Sequence, residues 1–573
     1  MKLRAPFDEN TMSRLALPTA WLCALVIVMS PIFDWDMYWH LANGREMIQG
    51  GRIIGEEVFS FTHFGEKFEN HEWLAQIIFY FIWQSIGPSG LLCLKLLLTA
   101  LVVWLGYRTA RIVGSQPWLA ALLCVFAVLA GWGRYTERPE LFSLFNIALI
   151  SFILYSYRAG RLTRGMFWLI PLIMVVWNWL HGAVYGLGLL SLFVAGENIK
   201  HFFPKLRHDA INDRSVLSTL NRCYAITMLA MLVDPLGLRS YGMFLGLLGG
   251  ENSVITDKIS EMMPITWDNF KPFIFLLACA TLLALRHIRR IDITQLMLLV
   301  VFGAMAIRYS RAVGVASIVL IPIIASLMTI TIRQSVSRSQ QLLVKGVMWA
   351  AAVFIASYGY IVKFVDKSPH PFGYHLNEIF LPVGSARFVQ AMGLTGNYYN
   401  TGHFGSYLSY FLAPERKIFQ FNLHSVFGDT YRFVKQPGEL TRWNINYAIV
   451  GIQEELALFP NDQWACVYHD PLAMLVMRRT PQNQALIQQY ELRFFNPTMP
   501  DDVLRKLEGD DRILPRLTEE MGIYLAYRHD EHIAERWANI LAANPYLRNR
   551  PRIQQLLKQA LEYNGGRLAQ LAG

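Results

Sequence analysis

The residues with the clearest chemical potential lie close together near the start of the chain. Asp34–Gly51 reads DWDMYWHLANGREMIQGG, and Phe59–Gln76 reads FSFTHFGEKFENHEWLAQ. A carboxylate at the edge of a membrane is costly to bury and is a functional candidate by default. Asp34 and Asp36 stand directly behind an apolar run, and we predict that one of them is a general base that takes a proton from a hydroxyl. Further candidate catalytic residues in the same stretch are His40, His71 and Glu72.

The two aspartates also suit a metal ion. Carboxylate oxygens are preferred ligands of Mg²⁺ and Mn²⁺, and such an ion neutralises a phosphate leaving group. The spacing Asp34-x-Asp36 therefore predicts a divalent cation as an optional cofactor, and the alternative is that both side chains are solvated loop residues. His71-Glu72 is not a zinc motif, because the HExxH pattern is absent. The six cysteines show neither metal-ligand spacing nor a disulfide framework.

A second set of candidates consists of basic side chains that lie on the predicted outer side, at the ends of apolar runs or, for Lys258, in a long loop. They are Arg134, Arg138, His181, Arg239, Lys258, Arg308 and Arg311. Because arginine forks match phosphate oxygens bidentately, we predict that this set binds the phosphate of a substrate. Structural salt bridges to Glu137, Glu140 or Asp234 are the alternative. The chain has no P-loop, no GxGxxG opening a helix and no GxSxG elbow, which argues against an ATP-driven pump.

Long apolar runs must hold these residues in place. Of 573 residues, 54% are hydrophobic and only 16% are charged, against about 25% charged in soluble domains. About 20 apolar residues cross a bilayer core, and runs of nearly that length recur up to residue 363. We therefore predict an α-helical polytopic membrane domain over residues 1–363. Its eleven predicted spans are 14–32, 89–107, 117–131, 140–157, 166–180, 183–197, 222–236, 272–286, 292–307, 312–332 and 346–363.

The charge distribution gives the orientation of these spans. Residues 1–363 hold 31 basic and 21 acidic residues, whereas 364–573 hold 21 of each, so the net charge of +10 belongs to the apolar part. A cytoplasmic N-terminus puts 19 basic and only six acidic residues on the inner side, in agreement with the positive-inside rule. An odd number of spans then places 364–573 outside. Basic residues interleaved with apolar runs are not a nucleic-acid footprint, so no nucleic-acid partner is expected.

The regions outside the spans differ in character. The first outer loop, 33–88, contains the apolar segment His71–Gly87, which we interpret as an interfacial or re-entrant helix. Residues 364–480 alternate a helix at Val383–Met392 with β-rich runs, which predicts a small extracytoplasmic mixed α/β domain. These runs are Lys417–Phe421, Tyr447–Gly451, Trp464–His469 and Leu472–Met477. Residues 481–573 predict a helical tail that contains one tetratricopeptide-like helix, with a capping helical hairpin as the alternative.

The chain also resembles a family of polytopic bacterial membrane proteins with DxDxWWHLxxGxxI, DxFSxT and HEWL stretches. The residues that match are Asp34–Leu41, Gly44, Arg45, Phe59–Thr62, Gly65, His71–Leu74, Arg138–Phe142, Trp177–Gly182, Asp234–Gly237, Arg308–Arg311 and Asn400–Leu408. That family is similar to the GT-C superfamily, which includes protein mannosyltransferases, oligosaccharyltransferases and the lipid A aminoarabinose transferase. The chain departs from the pattern at Phe421–His424, where relatives commonly have a DGR triplet, and its acid and arginine are absent.

The resemblance implies a glycosyltransferase in the bacterial inner membrane that uses a polyprenyl-phosphate-linked sugar donor. Asp34 or Asp36 would be the base, and the basic set would bind the donor phosphate. The acceptor would be an extracytoplasmic glycan, lipid or protein, and an envelope protein could bind residues 481–573. The first alternative is a non-catalytic protein of the same fold that binds or assembles envelope polysaccharide. The second is a transporter of lipid-linked saccharide, which the clustering of acids at the outer edge disfavours.

Overall fold

The computed structural model describes residues 9–30, 32, 34–203, 214–235, 237, 260–335, 380–427, 439–451 and 455–572, with the single positions 346, 350, 353 and 357. The chain divides into two compact units. The first unit comprises Met1–Asp34, Asn43–Ile53 and Glu69–Leu376. The second unit comprises Trp35–Ala42, Ile54–Phe68 and Asn377–Gly573. Two pieces of the predicted first outer loop therefore group with the C-terminal residues.

The first unit is helical throughout its described part. Its helices are Glu9–Val28, Trp73–Ile86, Pro88–Ile112, Pro117–Ala130, Glu140–Arg158, Arg164–Phe167, Leu169–His181, Val184–Phe202, Arg214–Ala230, Trp267–Arg286, Ile293–Arg308 and Val313–Ser335. Short 3-10 turns lie at Trp132–Arg134, Ser260–Met262 and Ser310–Ala312. Prolines open two of the helices at Pro88 and Pro117, where a missing N–H costs nothing. Asp292 caps the start of another helix by accepting from the backbone N–H of Gln295 at 3.1 Å.

Two helices form the centre of the first unit. The most apolar 18-residue windows of Glu140–Arg158 and of Ser310–Ile332 are each 83% buried inside the protein. The corresponding window of Trp267–Arg286 is only 22% buried, so most of that apolar surface faces outward. In a water-soluble protein such exposure would be unfavourable, whereas a bilayer tolerates it. The first unit is therefore built as a membrane domain.

Four helices in the described part of the chain are long and apolar enough to cross a membrane. They are Pro88–Ile112, Glu140–Arg158, Trp267–Arg286 and Ser310–Ile332, which coincide with four of the predicted spans. Six other predicted spans fall on shorter or less apolar helices, and span 346–363 lies outside the described residues except for the four single positions named above. The multi-pass helical architecture is thus present, and the number eleven stays a prediction.

The segment predicted as interfacial or re-entrant forms the helix Trp73–Ile86. Its 14 residues extend over about 21 Å, which is shorter than the roughly 30 Å of a bilayer core. Gly87 follows with a positive φ of 77°, and the next helix begins at once at Pro88. The left-handed backbone at Gly87, which glycine adopts readily, reverses the chain between the two helices. That geometry fits a helix that does not cross the whole membrane.

The second unit contains a four-stranded mixed sheet, as predicted for the C-terminal α/β domain. Strands β1 (Tyr398–Asn400), β2 (Tyr447–Gly451), β3 (Trp464–His469) and β4 (Ala473–Arg478) pair in the order β1-β2-β4-β3. The first pair is parallel and the other two are antiparallel. The helices Val383–Ala391 and Gly402–Phe411 flank β1 in the chain. Gly405 allows the second helix to approach Gln420, because a Cβ there would lie 2.0 Å from its carbonyl oxygen.

The predicted strand Lys417–Phe421 is a single bridge rather than a strand. Ile418 pairs with Ser60, and its backbone N–H donates to the carbonyl of Phe59 at 3.0 Å. The hydroxyl of Thr62 donates to the carbonyl of Phe419 at 2.5 Å. The FSFT stretch of the first outer loop is therefore bound to the C-terminal α/β domain through backbone groups, which a sequence pattern does not reveal.

The predicted helical tail is helical in the structure. Its helices are Gln484–Tyr490, Asp501–Glu508, Leu514–Leu525, Glu531–Ala543, Pro545–Arg548, Pro551–Ala560 and Arg567–Ala572. Leu514–Leu525 packs on both Glu531–Ala543 and Pro551–Ala560. Trp537 is fully buried among these helices, and its indole donates to the carbonyl of Thr518 at 2.8 Å. The tail thus has its own core.

Candidate functional site

Asp34, one of the two predicted bases, is paired with Arg138. The Nε of Arg138 donates to a carboxylate oxygen of Asp34 in a very short contact. The same guanidinium donates from NH1 to Oε1 of Glu261 at 2.7 Å. The Asp34 side chain is buried, whereas those of Arg138 and Glu261 are each 26% exposed. One arginine therefore bridges two carboxylates that come from distant parts of the sequence.

Arg134 extends this network. Its Nε donates to Oε1 of Glu140 at 3.0 Å, and its NH1 lies 3.0 Å from Oε1 of Glu261. Burial acts to raise the pKa of Glu261, but the guanidiniums of Arg134 and Arg138 outweigh burial and hold that pKa well below its usual range. Arg134, Arg138, Asp34, Glu140 and Glu261 together form what we call the ion network.

The salt bridges considered from the sequence occur only in part. Arg134 does pair with Glu140, whereas Arg138 pairs with Asp34 and Glu261. Asp234 accepts instead from the side-chain amide of Asn178 at 2.8 Å. Glu261 was not singled out from the sequence. Glu261 is an acid in a predicted outer loop that precedes an apolar run. The reasoning that selected Asp34, an acid at a membrane edge, therefore applies to Glu261 as well.

His181 is the centre of a hydrogen-bonded chain in the same unit. NH2 of Arg311 lies 2.9 Å from Nε2 of His181. Nδ1 of His181 lies 2.8 Å from the hydroxyl of Ser143, which also accepts from the indole of Trp177 at 2.7 Å. Oε1 of Glu72 lies 3.5 Å from Nε2 of His181. Because a guanidinium can only donate, Nε2 accepts and the hydrogen of the imidazole lies on Nδ1.

Of these residues, His181 and Arg311 line a cavity of about 120 Å³ within the first unit. Its polar lining consists of His71, His181, Tyr185, Tyr309 and Arg311, and the remainder is mostly apolar. The Nε2 of His71 lies 3.8 Å from Glu72, and the rings of His71 and His181 are 6.3 Å apart. A partly apolar cavity with an arginine, two histidines and two tyrosines is chemically suited to a ligand that carries both an anionic group and a hydrocarbon part.

Contacts around residues 310–314 join the ion network to this cavity. Ser310 donates from its hydroxyl to the carbonyl of Glu261 at 3.0 Å, and the next residue, Arg311, lines the cavity. Gly314 follows on the same chain segment, and a Cβ there would lie 3.0 Å from Cβ of Arg134. The close approach at Gly314 therefore places Arg134 and Arg311 in one region of the first unit.

The remaining predicted site residues are Asp36, His40, Arg308, Arg239 and Lys258. Asp36 opens the helix Asp36–Gly50 and His40 is buried in its second turn, both among residues of the second unit. A carboxylate in the first turn of a helix is stabilised by the helix dipole. Arg308 is exposed, and its guanidinium lies 5.0 Å from the ring centre of Tyr309. Arg239 and Lys258 lie outside the described residues.

The metal prediction has no support from the side-chain clusters of the described part of the chain. In that part, no group of three or more His, Cys, Asp or Glu side chains could hold a metal ion. Asp34, one half of the predicted pair, already accepts from the guanidinium of Arg138. A cation bound at Asp34 would lie beside this second positive charge, and the metal site stays a prediction.

A buried ion pair in the first unit was also missed by sequence reasoning. Nζ of Lys95 lies 2.6 Å from Oε1 of Glu137, and both side chains are at most 1% exposed. The same ammonium lies 3.2 Å from the hydroxyl of Ser30. Lys95 lies inside an apolar run, and its charge was the only feature of the sequence that pointed to a buried partner. Glu137, which the sequence suggested as a salt-bridge partner of the basic set, pairs with Lys95 instead.

Comparison with known proteins identifies the fold. No protein-family model matches the sequence, and no curated protein matches it either. A solved structure of the archaeal oligosaccharyltransferase AglB from Archaeoglobus fulgidus, in complex with an inhibitory peptide and a dolichol-phosphate, matches with a TM-score of 0.54 at 9% identity. That match covers 94% of this chain and 86% of the other. The fold is GT-C-like.

Two further solved structures match the chain. The apo oligosaccharyltransferase from Archaeoglobus fulgidus matches with a TM-score of 0.51 at 10% identity, over 82% of this chain and 75% of the other. ArnT from Cupriavidus metallidurans, bound to undecaprenyl phosphate, matches with a TM-score of 0.47 at 14% identity, over 82% and 98%. Because identities this low report on fold alone, the activity must be argued from the site.

Proposed function

We propose that the chain is a membrane glycosyltransferase that moves a sugar from a polyprenyl-phosphate-linked donor to an extracytoplasmic acceptor. The observation that carries the proposal is the arginine-lined cavity of the first unit, joined through Ser310 and Glu261 to the ion network that holds Asp34. The GT-C-like fold supports it, since the AglB structure contains a dolichol-phosphate and a peptide. An anionic head on a long hydrocarbon is the type of ligand that such a cavity favours.

The proposed reaction divides the work among the residues of the site. A carboxylate, Asp36 or Asp34, takes the proton from a hydroxyl of the acceptor. The acceptor atom bonds to the anomeric carbon as the bond between that carbon and the phosphate oxygen breaks. The electron pair leaves with the polyprenyl phosphate, and Arg311 donates to the departing oxygens. The lipid-linked donor supplies the leaving group, so the reaction needs no nucleotide site.

The remaining predicted roles belong to the same proposal. Arg134, Arg138, Arg308, Arg239 and Lys258 would attract the anionic donor to the outer edge of the membrane, with His181 fixing the orientation of Arg311. His40, His71 and Glu72 would orient the acceptor or relay its proton. The orientation, with a cytoplasmic N-terminus and an extracytoplasmic C-terminal domain, follows from the positive-inside rule. The bacterial inner membrane and the eleven spans are parts of the proposal as well.

A divalent cation at Asp34 and Asp36 is a separate proposal with its own test. The pairing of Asp34 with Arg138 speaks for a reaction in which a guanidinium provides the positive charge. The transfer assay is run with EDTA, then with Mg²⁺ or Mn²⁺ restored. Activity that is lost with EDTA and restored by the cation supports the metal, and activity unchanged by EDTA rejects it.

The base is tested by Asp34→Asn and Asp36→Asn, each as a single variant. Purified protein is assayed for transfer of radiolabelled sugar from a polyprenyl-phosphate-linked donor to envelope glycan. We expect a loss of about 10²–10⁴-fold in rate for the base. Asp268→Asn is the control, because the Asp268 carboxylate is exposed on the first unit, which also contains Asp34, and pairs only loosely with Lys271, at 3.7 Å. If both test variants are folded and as active as Asp268→Asn, the general-base proposal is wrong.

One observation favours a non-catalytic alternative. Arg134 and Arg138 are each bound to two carboxylates of the protein itself, which is what a purely structural ion network would show. In that case the chain would bind or assemble envelope polysaccharide without transferring sugar. Mass spectrometry of lipid copurified with the protein separates the two functions. A polyprenyl-phosphate sugar, lost in Arg311→Ala, supports the transferase, and its absence together with glycan binding supports the alternative.

A further inference from the structure

We propose that a groove in the second unit binds a short saccharide. The groove lies between the helix Val383–Ala391, the turn at Ala526–Tyr527 and the end of the helix Pro551–Ala560 with the turn that follows it. It is separate from the cavity that contains Arg311. The proposal goes beyond sugar transfer and holds whether or not the first unit is catalytic.

The groove has the size and lining of a small-ligand site. Its volume is about 420 Å³, within the range of about 300–1,000 Å³ that is common for such sites. The polar and aromatic residues that line it are Arg387, Gln390, Tyr527, Gln559, Glu562 and Tyr563. It is open to one side, which suits one end or a short stretch of a chain-like ligand.

The walls of the groove are fixed by hydrogen bonds. The side-chain amide of Asn564 donates to the carbonyl of Leu525 at 2.9 Å and to that of Arg528 at 2.8 Å. Nδ1 of His529 lies 2.7 Å from the carbonyl of Tyr563. Behind the groove, the rings of Tyr527 and Phe388 pack edge to face with centres 5.2 Å apart. A preformed site of this kind loses little conformational entropy on binding.

The donors and acceptors of the lining are balanced. The guanidinium of Arg387 lies 4.3 Å from the ring centre of Tyr563, and NH1 donates to the carbonyl of Tyr527 at 3.2 Å. Glu562 places a carboxylate opposite in charge in the same groove, and Gln559 adds an amide that both donates and accepts. The positive charge of Arg387 is thus offset, which makes the groove a poor site for a phosphate or another small anion.

Tyr527 adds a hydroxyl with spare hydrogen-bonding capacity. Its side chain is only 5% exposed, and its hydroxyl has no hydrogen-bond partner in the part of the chain that the structure describes. Burial raises the pKa of Tyr527 to about 12, so the phenol stays neutral and can donate. A buried hydroxyl without a partner loses free energy that a polar ligand would restore.

A saccharide fits this chemistry better than the other ligand classes. Each sugar hydroxyl both donates and accepts, so it matches a lining in which guanidinium, carboxylate, amide and phenol alternate. The apolar face of a pyranose ring packs on aromatic side chains such as Tyr563. A hydrocarbon ligand would remove water from the charges of Arg387 and Glu562 without offering a polar group in return, and an anion would be repelled by Glu562.

The test measures binding of free trisaccharides to the full-length protein in detergent. The uncharged trisaccharides chitotriose and maltotriose are titrated by calorimetry without any lipid-linked donor, with tri-alanine and inorganic phosphate as competing ligand classes. We expect at least one trisaccharide to bind. We expect Gln559→Ala and Glu562→Ala each to weaken that binding about fivefold or more, the loss that one hydrogen bond predicts.

Lys558→Ala is the matched control, because Lys558 is an exposed neighbour of Gln559 on the same helix and does not line the groove. This variant should keep the wild-type affinity. Three results would each overturn the proposal: no trisaccharide binds, the groove variants bind as tightly as Lys558→Ala, or tri-alanine or phosphate binds in the groove in place of a saccharide. None of these results depends on whether sugar transfer occurs.

Discussion

The guanidinium of Arg311 donates from NH2 to Nε2 of His181 across 2.9 Å, and the ring is held from its other side by Ser143 at 2.8 Å. The two contacts give the imidazole one orientation and one tautomer. The hydrogen bond to His181 also fixes the direction of the Arg311 guanidinium. Both residues line the cavity of the first unit. In the proposed reaction His181 is therefore a positioning residue for the arginine that binds the donor phosphate.

Replacing His181 tests this relationship. His181→Phe keeps a ring of similar size but removes the acceptor, so Arg311 loses a charged hydrogen bond that contributes about 1.5–3 kcal/mol. We expect the KM for the lipid-linked donor to rise about 10- to 100-fold, with a smaller fall in kcat. His181→Gln, which keeps an acceptor, should recover part of the affinity. If the donor KM of His181→Phe equals that of the wild type, His181 does not position Arg311.

Sequence patterns predicted local elements better than partners. The runs Tyr447–Gly451 and Trp464–His469 are strands with the predicted bounds, because their apolar and β-branched residues between turn signals fit a buried sheet. The similar run Lys417–Phe421 forms only a single bridge. A strand needs a neighbouring segment that offers backbone hydrogen-bonding groups along its whole length. The neighbour here is Ser60, which lies far away in the sequence.

The candidate site shows the same division. Membrane-edge charges at Asp34, Arg134 and Arg138 were visible from the apolar pattern alone. Their partners were not, because ion pairs between residues distant in sequence depend on how the helices pack. Glu261 and Ser143 were missed for that reason, although both contact predicted site residues. The hydropathy pattern shows which charged residues lie at a membrane edge, whereas only the fold shows which of them pair with each other.

The buried pair of Lys95 and Glu137 should be important for stability. Lys95→Met leaves the Glu137 carboxylate buried without its partner, which costs about 3–5 kcal/mol of unfolding free energy. The double variant Lys95→Met/Glu137→Leu should be more stable than the single one, because no unpaired charge remains. Unfolding in a denaturing detergent titration measures both.

Lys271→Met is the control, since its pair with Asp268 is exposed, and should change stability by less than about 1 kcal/mol. Equal costs for Lys95→Met and Lys271→Met would contradict the prediction.

Two glycines on one helix give a matched pair for the packing beneath His181. A Cβ at Gly186 would lie 2.3 Å from the ring of Trp177, whereas a Cβ at Gly188 would meet nothing within 4 Å. Gly186→Ala should therefore destabilise the protein by about 1–3 kcal/mol through overpacking. Gly188→Ala should be neutral or stabilise the helix by up to about 1 kcal/mol. The same unfolding titration compares them.

Gly186→Ala should also affect the site, because Trp177 donates to Ser143, which in turn contacts His181. We expect a rise in the donor KM in this variant and none in Gly188→Ala. A Gly186→Ala variant with wild-type stability and wild-type donor KM would show that the close contact with Trp177 is unimportant.

Glu57 should make the stability of the second unit depend on pH. Its side chain is buried, and its Oε1 accepts from the backbone N–H groups of Phe59 at 2.7 Å and Ser60 at 2.6 Å. Burial raises the pKa of Glu57 to about 7, against the opposing effects of these hydrogen bonds and of the nearby charge of Lys417. The folded protein therefore keeps the proton of Glu57 at pH values where the unfolded chain has lost it.

Because the folded-state pKa is the higher one, this contribution to stability is fully present below about pH 4.5 and is lost as the pH rises through about 7. The loss is about 3 kcal/mol in total. Glu57→Gln keeps an acceptor for Phe59 and Ser60 but cannot ionise, so it should remove this part of the pH dependence. Unfolding free energies at pH 5 and pH 8 measure the effect. Glu66→Gln, an exposed change in the same loop, should keep the wild-type dependence of the unfolding free energy on pH. If Glu57→Gln also keeps the wild-type dependence, Glu57 is not its source.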